Sequence, residues 1–355
     1  MDAESEARRR FRAGTVIPAH PLSLTENLSL DERHQRALTR YYLDSGAGGL
    51  AVGVHTTEFK IHEPEVGLYR PVLELAAATA ADWCRRRRLP RPFMIAGITG
   101  GTDRALAEAA LAADLGFDAG LLSLGGLPEA DEAELVRHAR RVAELIPVMG
   151  FYLQPAVGGR LLSEDFWRRL AEIENLVGIK IAPFDRYHTL SVVRAVAASG
   201  RAGEVALYTG NDDNILPDLL TSYEVATADG PVALRIVGGL LGHWAYWTLR
   251  ASEQLASVHE AVASGSIPAR LLTLGAQVTE SNRAVFDPEH GYRGCISGIL
   301  YVLSRSGLVA GVRTLGEKEE LSPGQAKRID AVVRAYPHLT DEEFVAGRLS
   351  EWLAD

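Results

Sequence analysis

Lys180 stands alone in an apolar run with strand character, Val177-Gly178-Ile179-Lys180-Ile181-Ala182. A lysine is almost never fully buried without a partner, and the next acid along the chain is Asp185. Side chains alternate along a strand, so Lys180 is expected to share a face with Gly178 and Ala182, opposite Val177, Ile179 and Ile181. One face can pack, and the other holds an amine between residues too small to crowd it. Desolvation lowers the pKa of such an amine, and its neutral form attacks carbonyls. The competing reading is an edge strand whose lysine points into water.

Tyr152 is the second candidate. Alternation puts it on the face of Gly150 and Gln154, with Phe151 and Leu153 opposite. Neighbouring strands lie about 4.8 Å apart, so an inward phenol beside an inward amine could move protons at one substrate. Taken alone, a buried tyrosine more often serves structure through a hydrogen bond; the pairing with Lys180 gives it a catalytic meaning. Further candidates fall at the ends of strand-like runs: His20, the segment His55-Thr56-Thr57-Glu58, Gly210-Asn211-Asp212-Asp213 and Gly238-Gly239. Of these, His55, Thr56, Thr57, Gly210 and Gly238 are the expected substrate-binding positions. His20 and His55 could equally be structural loop residues, and Asp212-Asp213 reads as a helix cap as readily as a catalytic pair. His243-Trp244 and Tyr246-Trp247 have the spacing of residues that dock one element on another.

The elements that must position these groups alternate. Strand-like runs at Thr15–Ile17, Gly49–Val54, Phe93–Ile98, Ala119–Leu122, Val148–Leu153, Val177–Ile181, Val205–Thr209 and Ala233–Val237 are separated by helical patterns. These include Leu30–Ser45, Glu65–Arg87, Thr102–Leu115, Asp131–Leu145, Ser163–Ile173, Arg186–Ser199 and Asp213–Thr221. This order predicts an α/β fold, a parallel (β/α)8 TIM barrel, whose reactive groups sit at the C-terminal ends of the strands. No GxGxxG follows the first run, which argues against a dinucleotide-binding open sheet. From His243 the pattern is helical throughout. The expected organisation is an N-terminal tail (1–13), a barrel (14–242) and an all-helical C-terminal extension (243–355) packed on it.

Composition limits the partners. The 355 residues carry a net charge of −9, which argues against nucleic acid. No apolar run approaches the roughly 18 residues of a membrane span. The charged N-terminus lacks a signal-peptide core. Cys84 and Cys295 have no metal-ligand spacing, and their scarcity fits a reducing cytoplasm. A metal site built on His55, Glu58, His62 and His20 is the competing reading, but His-x-x-Glu-x-x-x-His is not a standard zinc pattern. No metal and no cofactor are expected.

Tyr-x-x-Pro at Tyr152–Pro155, followed by Gly178-Ile179-Lys180 with 28 positions between the tyrosine and the lysine, resembles the dihydrodipicolinate synthase and N-acetylneuraminate lyase family of class I aldolases. Ser45-Gly46-Ala47-Gly48-Gly49-Leu50, Thr56-Thr57-Glu58, Ala96-Gly97 and Gly210-Asn211-Asp212 agree with it. The resemblance implies a Schiff base between Lys180 and pyruvate or a related 2-keto acid, with Tyr152 as proton shuttle and the threonines holding the carboxylate. It also implies a homo-oligomer, dimer or tetramer. Three departures stand out. His55 occupies the place of the first threonine of the family's Gly-Thr-Thr-Gly-Glu loop, and Thr57 that of its second glycine. Val157 stands where the synthases bind a distal carboxylate with arginine. Ser123-Leu124-Gly125-Gly126-Leu127 lacks the relay tyrosine that follows their fourth strand. These argue against dihydrodipicolinate synthesis itself and for a lyase acting by aldol cleavage, condensation or dehydration. A non-catalytic keto-acid-binding paralogue is the alternative.

Overall fold

The computed structural model describes residues 5–316 and 320–354. Nine strands form one sheet: β1 (Val16–Pro18), β2 (Gly49–Val52), β3 (Phe93–Ile98), β4 (Ala119–Leu122), β5 (Val148–Leu153), β6 (Leu176–Ala182), β7 (Ala206–Thr209), β8 (Ser222–Thr227) and β9 (Gly230–Leu241). Neighbours run in the order β1-β9-β7-β6-β5-β4-β3-β2, all parallel, and β8 lies off this path. The ring is completed between β1 and β2 by the Ala19–Ala51 bridge and the bonds His20 N–H to Ala51 O (2.8 Å) and Gly48 N–H to Val16 O (3.1 Å). The (β/α)8 barrel expected from the alternation is therefore the observed architecture.

Helices α1 (Glu6–Ala13), α2 (Glu32–Asp44), α3 (Tyr69–Arg87), α4 (Thr102–Asp114), α5 (Glu132–Ala143), α6 (Glu164–Ala171), α7 (Arg186–Ala198) and α8 (Ile215–Leu220) precede or surround the strands. Their starts are chemically marked. Asp31, Ser163 and Asp185 each accept a backbone N–H three residues on, and Asp131 forms a reciprocal box with Glu134, satisfying amides that have no partner within the helix. Helices α9 (Thr248–Ala263), α10 (Ala269–Phe286), α11 (Cys295–Arg305) and α12 (Gln325–Ala335), with the short α13 (Glu342–Ala346) and α14 (Leu349–Trp352), follow the barrel.

Two expectations change. The eighth barrel strand runs on to Leu241, four residues beyond the expected Val237, because Val16, Ile17 and Pro18 of β1 pair with Gly239, Leu240 and Leu241. Its first half pairs with β8 as an antiparallel hairpin that the alternation pattern did not mark. At the N-terminus, residues 1–4 lie outside the described residues, while Glu6–Ala13 form α1. Phe11 on this helix stacks on Phe93 (4.3 Å between ring centroids) and Tyr208 (4.8 Å). Tyr208 donates to Phe11 O at 2.6 Å. The helix so closes the end of the barrel from which the strands start.

Apolar packing divides into two layers. Met149, Phe151, Leu153, Tyr208 and Leu240 fill the barrel interior. Tyr152, Ile179, Ile181 and Val52 face the surrounding helices. A register shift between Val148 and Met149 places Val177 with the interior, whereas alternation had grouped it with Ile179 and Ile181.

Candidate active site around Lys180

Lys180 points into the barrel from β6, on the face of Ala182, and opens onto a pocket at the C-terminal ends of the strands. Only 7% of its surface is exposed. Gly210, following β7, makes the room: a Cβ there would stand 2.6 Å from Lys180 Cε and 2.8 Å from Ala182 Cβ. Its N–H bonds Ile181 O at 2.7 Å, so the close approach is fixed by the ladder itself.

Burial lowers the Lys180 pKa to about 8, against an opposing pull from the Asp212 carboxylate. Burial in turn raises Asp212 to about 7, while the His243 N–H and the Lys180 charge pull it down. Asp212 is held by that N–H at 2.9 Å, and its own carbonyl accepts from Asn282 on α10 at 2.6 Å. Asp212 thus lines the pocket as the counter-charge of the lysine, and the helix-cap reading of Asp212-Asp213 does not hold: α8 begins after Asn214.

Tyr152 is not at this site. On β5, Phe151 pairs with Lys180 and Tyr152 with Ile181, so Phe151 is the inward residue. Tyr152 packs outward against Trp167 (4.8 Å) and His188 (5.9 Å), and its hydroxyl accepts only a long 3.5 Å bond from Leu162 N. Alternation separates the two faces of β5, and the one that looks inward is that of Phe151, not the expected one of Tyr152. Both faces of a barrel strand are buried and apolar, so hydrophobicity does not say which looks inward, and a shift of one residue exchanges them.

The remaining candidates divide. His55 and Thr56 line the pocket. The Thr56 hydroxyl donates to Ala19 O at 2.7 Å, which leaves its lone pairs for a ligand. Burial and the Lys180 charge lower His55 to about 4, so its imidazole is neutral. Thr57 turns away: its hydroxyl donates to His20 O at 2.6 Å and accepts from Gly53 and Val54 N–H, which ties off the end of β2. Gly238 is displaced too. A Cβ there would lie 2.6 Å from Thr15 O and 2.7 Å from Tyr208 Cε1, deep in the barrel, and Gly242 is the residue of that segment that reaches the pocket. This follows directly from the longer β9.

His20 is a packing residue, bonded to Pro21 O (2.9 Å) and Thr39 Oγ1 (2.9 Å) and lowered to about 4 by burial. The metal alternative loses its ligands. His62 is clamped between Glu108 (3.0 Å) and Gly53 O (2.8 Å), and Glu58 accepts Leu315 N–H at 2.7 Å. His243, Trp244, Tyr246 and Trp247 dock the helices: His243 Nδ1 meets the Tyr246 hydroxyl at 2.8 Å, and that hydroxyl reaches Asn282.

The far wall of the pocket comes from residues that sequence reasoning missed: Phe184 after β6, Phe286 and Cys295 at the facing ends of α10 and α11, and Tyr292 in the loop between them. Val157 lines the same cavity. Lys180 is the only lysine or arginine lining it among the described residues. Nothing local marks this wall in the sequence: Phe184 falls in a loop just after the lysine strand, and Phe286, Tyr292 and Cys295 lie over a hundred positions beyond the lysine.

The profile of the dihydrodipicolinate synthetase family matches residues 13–227. The chain belongs to this family. Among relatives in the family, the 4-hydroxy-tetrahydrodipicolinate synthase of Moorella thermoacetica is 27% identical over 209 residues, covering 58% of this chain and 65% of that protein. The synthase of Aromatoleum aromaticum is 33% identical over 202 residues, covering 56% and 61%. The chain thus spans less than two thirds of the length of these relatives. In fold it is similar to a dihydrodipicolinate synthase of Acinetobacter baumannii complexed with pyruvate (TM-score 0.72, 21% identity, 91% of this chain and 98% of that one). It is also similar to an N-acetylneuraminate lyase of Fusobacterium nucleatum (TM-score 0.70, 17% identity, 91% and 99%). The family match stops short of β9 and of every helix that supplies the aromatic wall. No helix among the described residues is long and apolar enough to cross a membrane.

Proposed function

We propose that the protein is a class I lyase that binds pyruvate or a related 2-keto acid as a Schiff base on Lys180, for aldol cleavage, condensation or dehydration. The observation that carries this reading is a buried lysine beside a carboxylate in a pocket at the C-terminal end of the barrel. With a pKa of about 8, about a tenth of the amine is neutral at pH 7, against well under 1% for an unperturbed lysine. Its lone pair attacks the keto carbon, loss of water gives an iminium, and the iminium draws electrons from the adjacent C–C or C–H bond. Asp212 balances the charge while it rests on nitrogen. Thr56 and His55, both neutral and polar, stand where a substrate carboxylate or its keto oxygen can be held.

Val157 stands in place of the arginine that binds the distal carboxylate in the synthases, which speaks against dihydrodipicolinate synthesis. Family resemblance supports a homo-oligomer, dimer or tetramer, with a small-molecule substrate. Incubation with 2-keto acids and borohydride, followed by intact mass measurement, tests the reading. A reduced adduct on Lys180, absent in Lys180→Ala, is expected. No adduct from any acid of the panel would sink it, and binding without turnover would mark a keto-acid-binding paralogue.

A further inference from the structure

Iminium formation needs a group that gives and takes protons, and the inward residue beside Lys180 is Phe151, which can do neither. We propose that Tyr292, supplied by the loop ahead of α11, is the catalytic acid–base of the Lys180 site; this rests on the Schiff-base reading above. Among the described residues Tyr292 is the one tyrosine that lines the pocket. Besides the Cys295 thiol, the other titratable groups there are otherwise placed. Asp212 is bound to the lysine charge and to the His243 N–H, and His55 is held so far toward its neutral form that it is a weak base.

Three features fit Tyr292 for the role. Asp212 acts electrostatically on both Tyr292 and Lys180, and Cys295 lines the pocket with them, which places the phenol and the amine in one cluster. Gln154, a buried residue at the end of β5, bonds the phenol in the sense that favours its ionised form. An amide N–H donated to the phenol oxygen would act in that sense and leave the O–H free to be given up. Burial opposes this and keeps the group protonated at rest.

The backbone is also committed to presenting this ring. Tyr292 has φ 65° and Phe184, which meets it edge to face at 5.6 Å, has φ 54°. Left-handed conformations at bulky residues concentrate at sites of function and persist only where surroundings enforce them. Here Asp287, almost wholly buried, enforces one of them. Its carbonyl accepts Tyr292 N–H at 3.0 Å, while its carboxylate takes His290 (2.7 Å) and Arg328 (3.0 Å). Phe184 is fixed by its N–H bond to Asn211 Oδ1 at 3.0 Å.

The steps balance within the site. Neutral Lys180 Nζ bonds the keto carbon, the carbonyl π pair moves to oxygen, and that oxygen takes the Tyr292 proton. The phenolate recovers a proton from Nζ, giving the carbinolamine. Tyr292 then protonates the hydroxyl, the C–O pair leaves with water, and the nitrogen pair closes the iminium. The phenolate takes a proton from C3, yielding the enamine and restoring the phenol.

The test follows exchange of the C3 protons of pyruvate in D2O by NMR, beside borohydride trapping. Tyr292→Phe is expected to slow exchange about a hundredfold or more, the range of general acid–base catalysis, while long incubation with pyruvate still traps Lys180. Gln154→Leu is expected to slow exchange about tenfold through loss of the donor to the phenolate. Tyr152→Phe should exchange at the wild-type rate. Trapping on the wild type with both Tyr292→Phe and Gln154→Leu exchanging at its rate overturns the Tyr292 role alone. No trapping on the wild type overturns the Schiff-base reading and this role together.

Discussion

The ammonium of Lys180 lies over the ring of Phe151, 4.4 Å from its centroid, and the two residues are direct partners across the β5–β6 ladder. A cation over an aromatic face is stabilised by about 0.5–1 kcal/mol or more when desolvated. The ring therefore favours the charged lysine and partly offsets burial. Phe151→Leu should lower the Lys180 pKa by about half a unit, since one unit corresponds to about 1.4 kcal/mol. The pH midpoint of borohydride trapping would then fall by that amount. An unchanged or raised midpoint would contradict the contact.

Asp212 pulls in the same direction with a full charge. Its carboxylate raises the Lys180 pKa against burial, so Asp212→Asn should drive the lysine further below about 8. The free amine then prevails at lower pH, and the trapping profile shifts toward acid. In the wild type, trapping should rise with pH through about 8 as the amine loses its proton. A basic shift in Asp212→Asn would mean that the carboxylate is not the counter-charge.

The two glycines expected to serve substrate should separate cleanly. Gly210→Ala puts a methyl 2.6 Å from Lys180 Cε, which can swing away, and 2.8 Å from Ala182 Cβ, which cannot. Trapping of the folded fraction should fall about a hundredfold, because small misplacements of a reacting group carry costs of that order, and Tm should fall as well. Gly238→Ala puts its methyl against the Thr15 backbone. It should destabilise the fold by about 1–3 kcal/mol while the folded fraction traps normally. Denaturant melts and trapping on both variants decide this.

Phe11 joins the N-terminal helix to the barrel through stacked rings on either side. Phe11→Ala should cost about 3–5 kcal/mol, measured by denaturant unfolding. A loss below about 1 kcal/mol would show that α1 contributes nothing to closing that end.

The barrel was legible because seven of its strands carry β-rich runs between capped helices, and Lys180 because an unpartnered charge in an apolar strand has few explanations. What stayed hidden has identifiable causes. The hairpin of β8 and the reach of β9 depend on pairing with partners far away in sequence. The inward face of β5 was set by its register with β6, which local alternation does not carry. Asp212 was visible but ambiguous, since a short acid before a helix is more commonly a cap. Tyr292 and Cys295 lay in a stretch whose helical periodicity gave no hint that its leading loop leans over the barrel mouth.

That leaning loop has a consequence for inheritance of function. Lys180 sits in the segment shared with the family, residues 13–227, whereas Tyr292, Phe286 and Cys295 belong to the part beyond it. The two portions can drift at different rates: on the Schiff-base proposal, one would conserve how a carbonyl is captured and the other would decide which carbonyl is admitted. Grafting the helices of one such protein onto the barrel of another would then exchange substrate choice while leaving the capturing amine untouched.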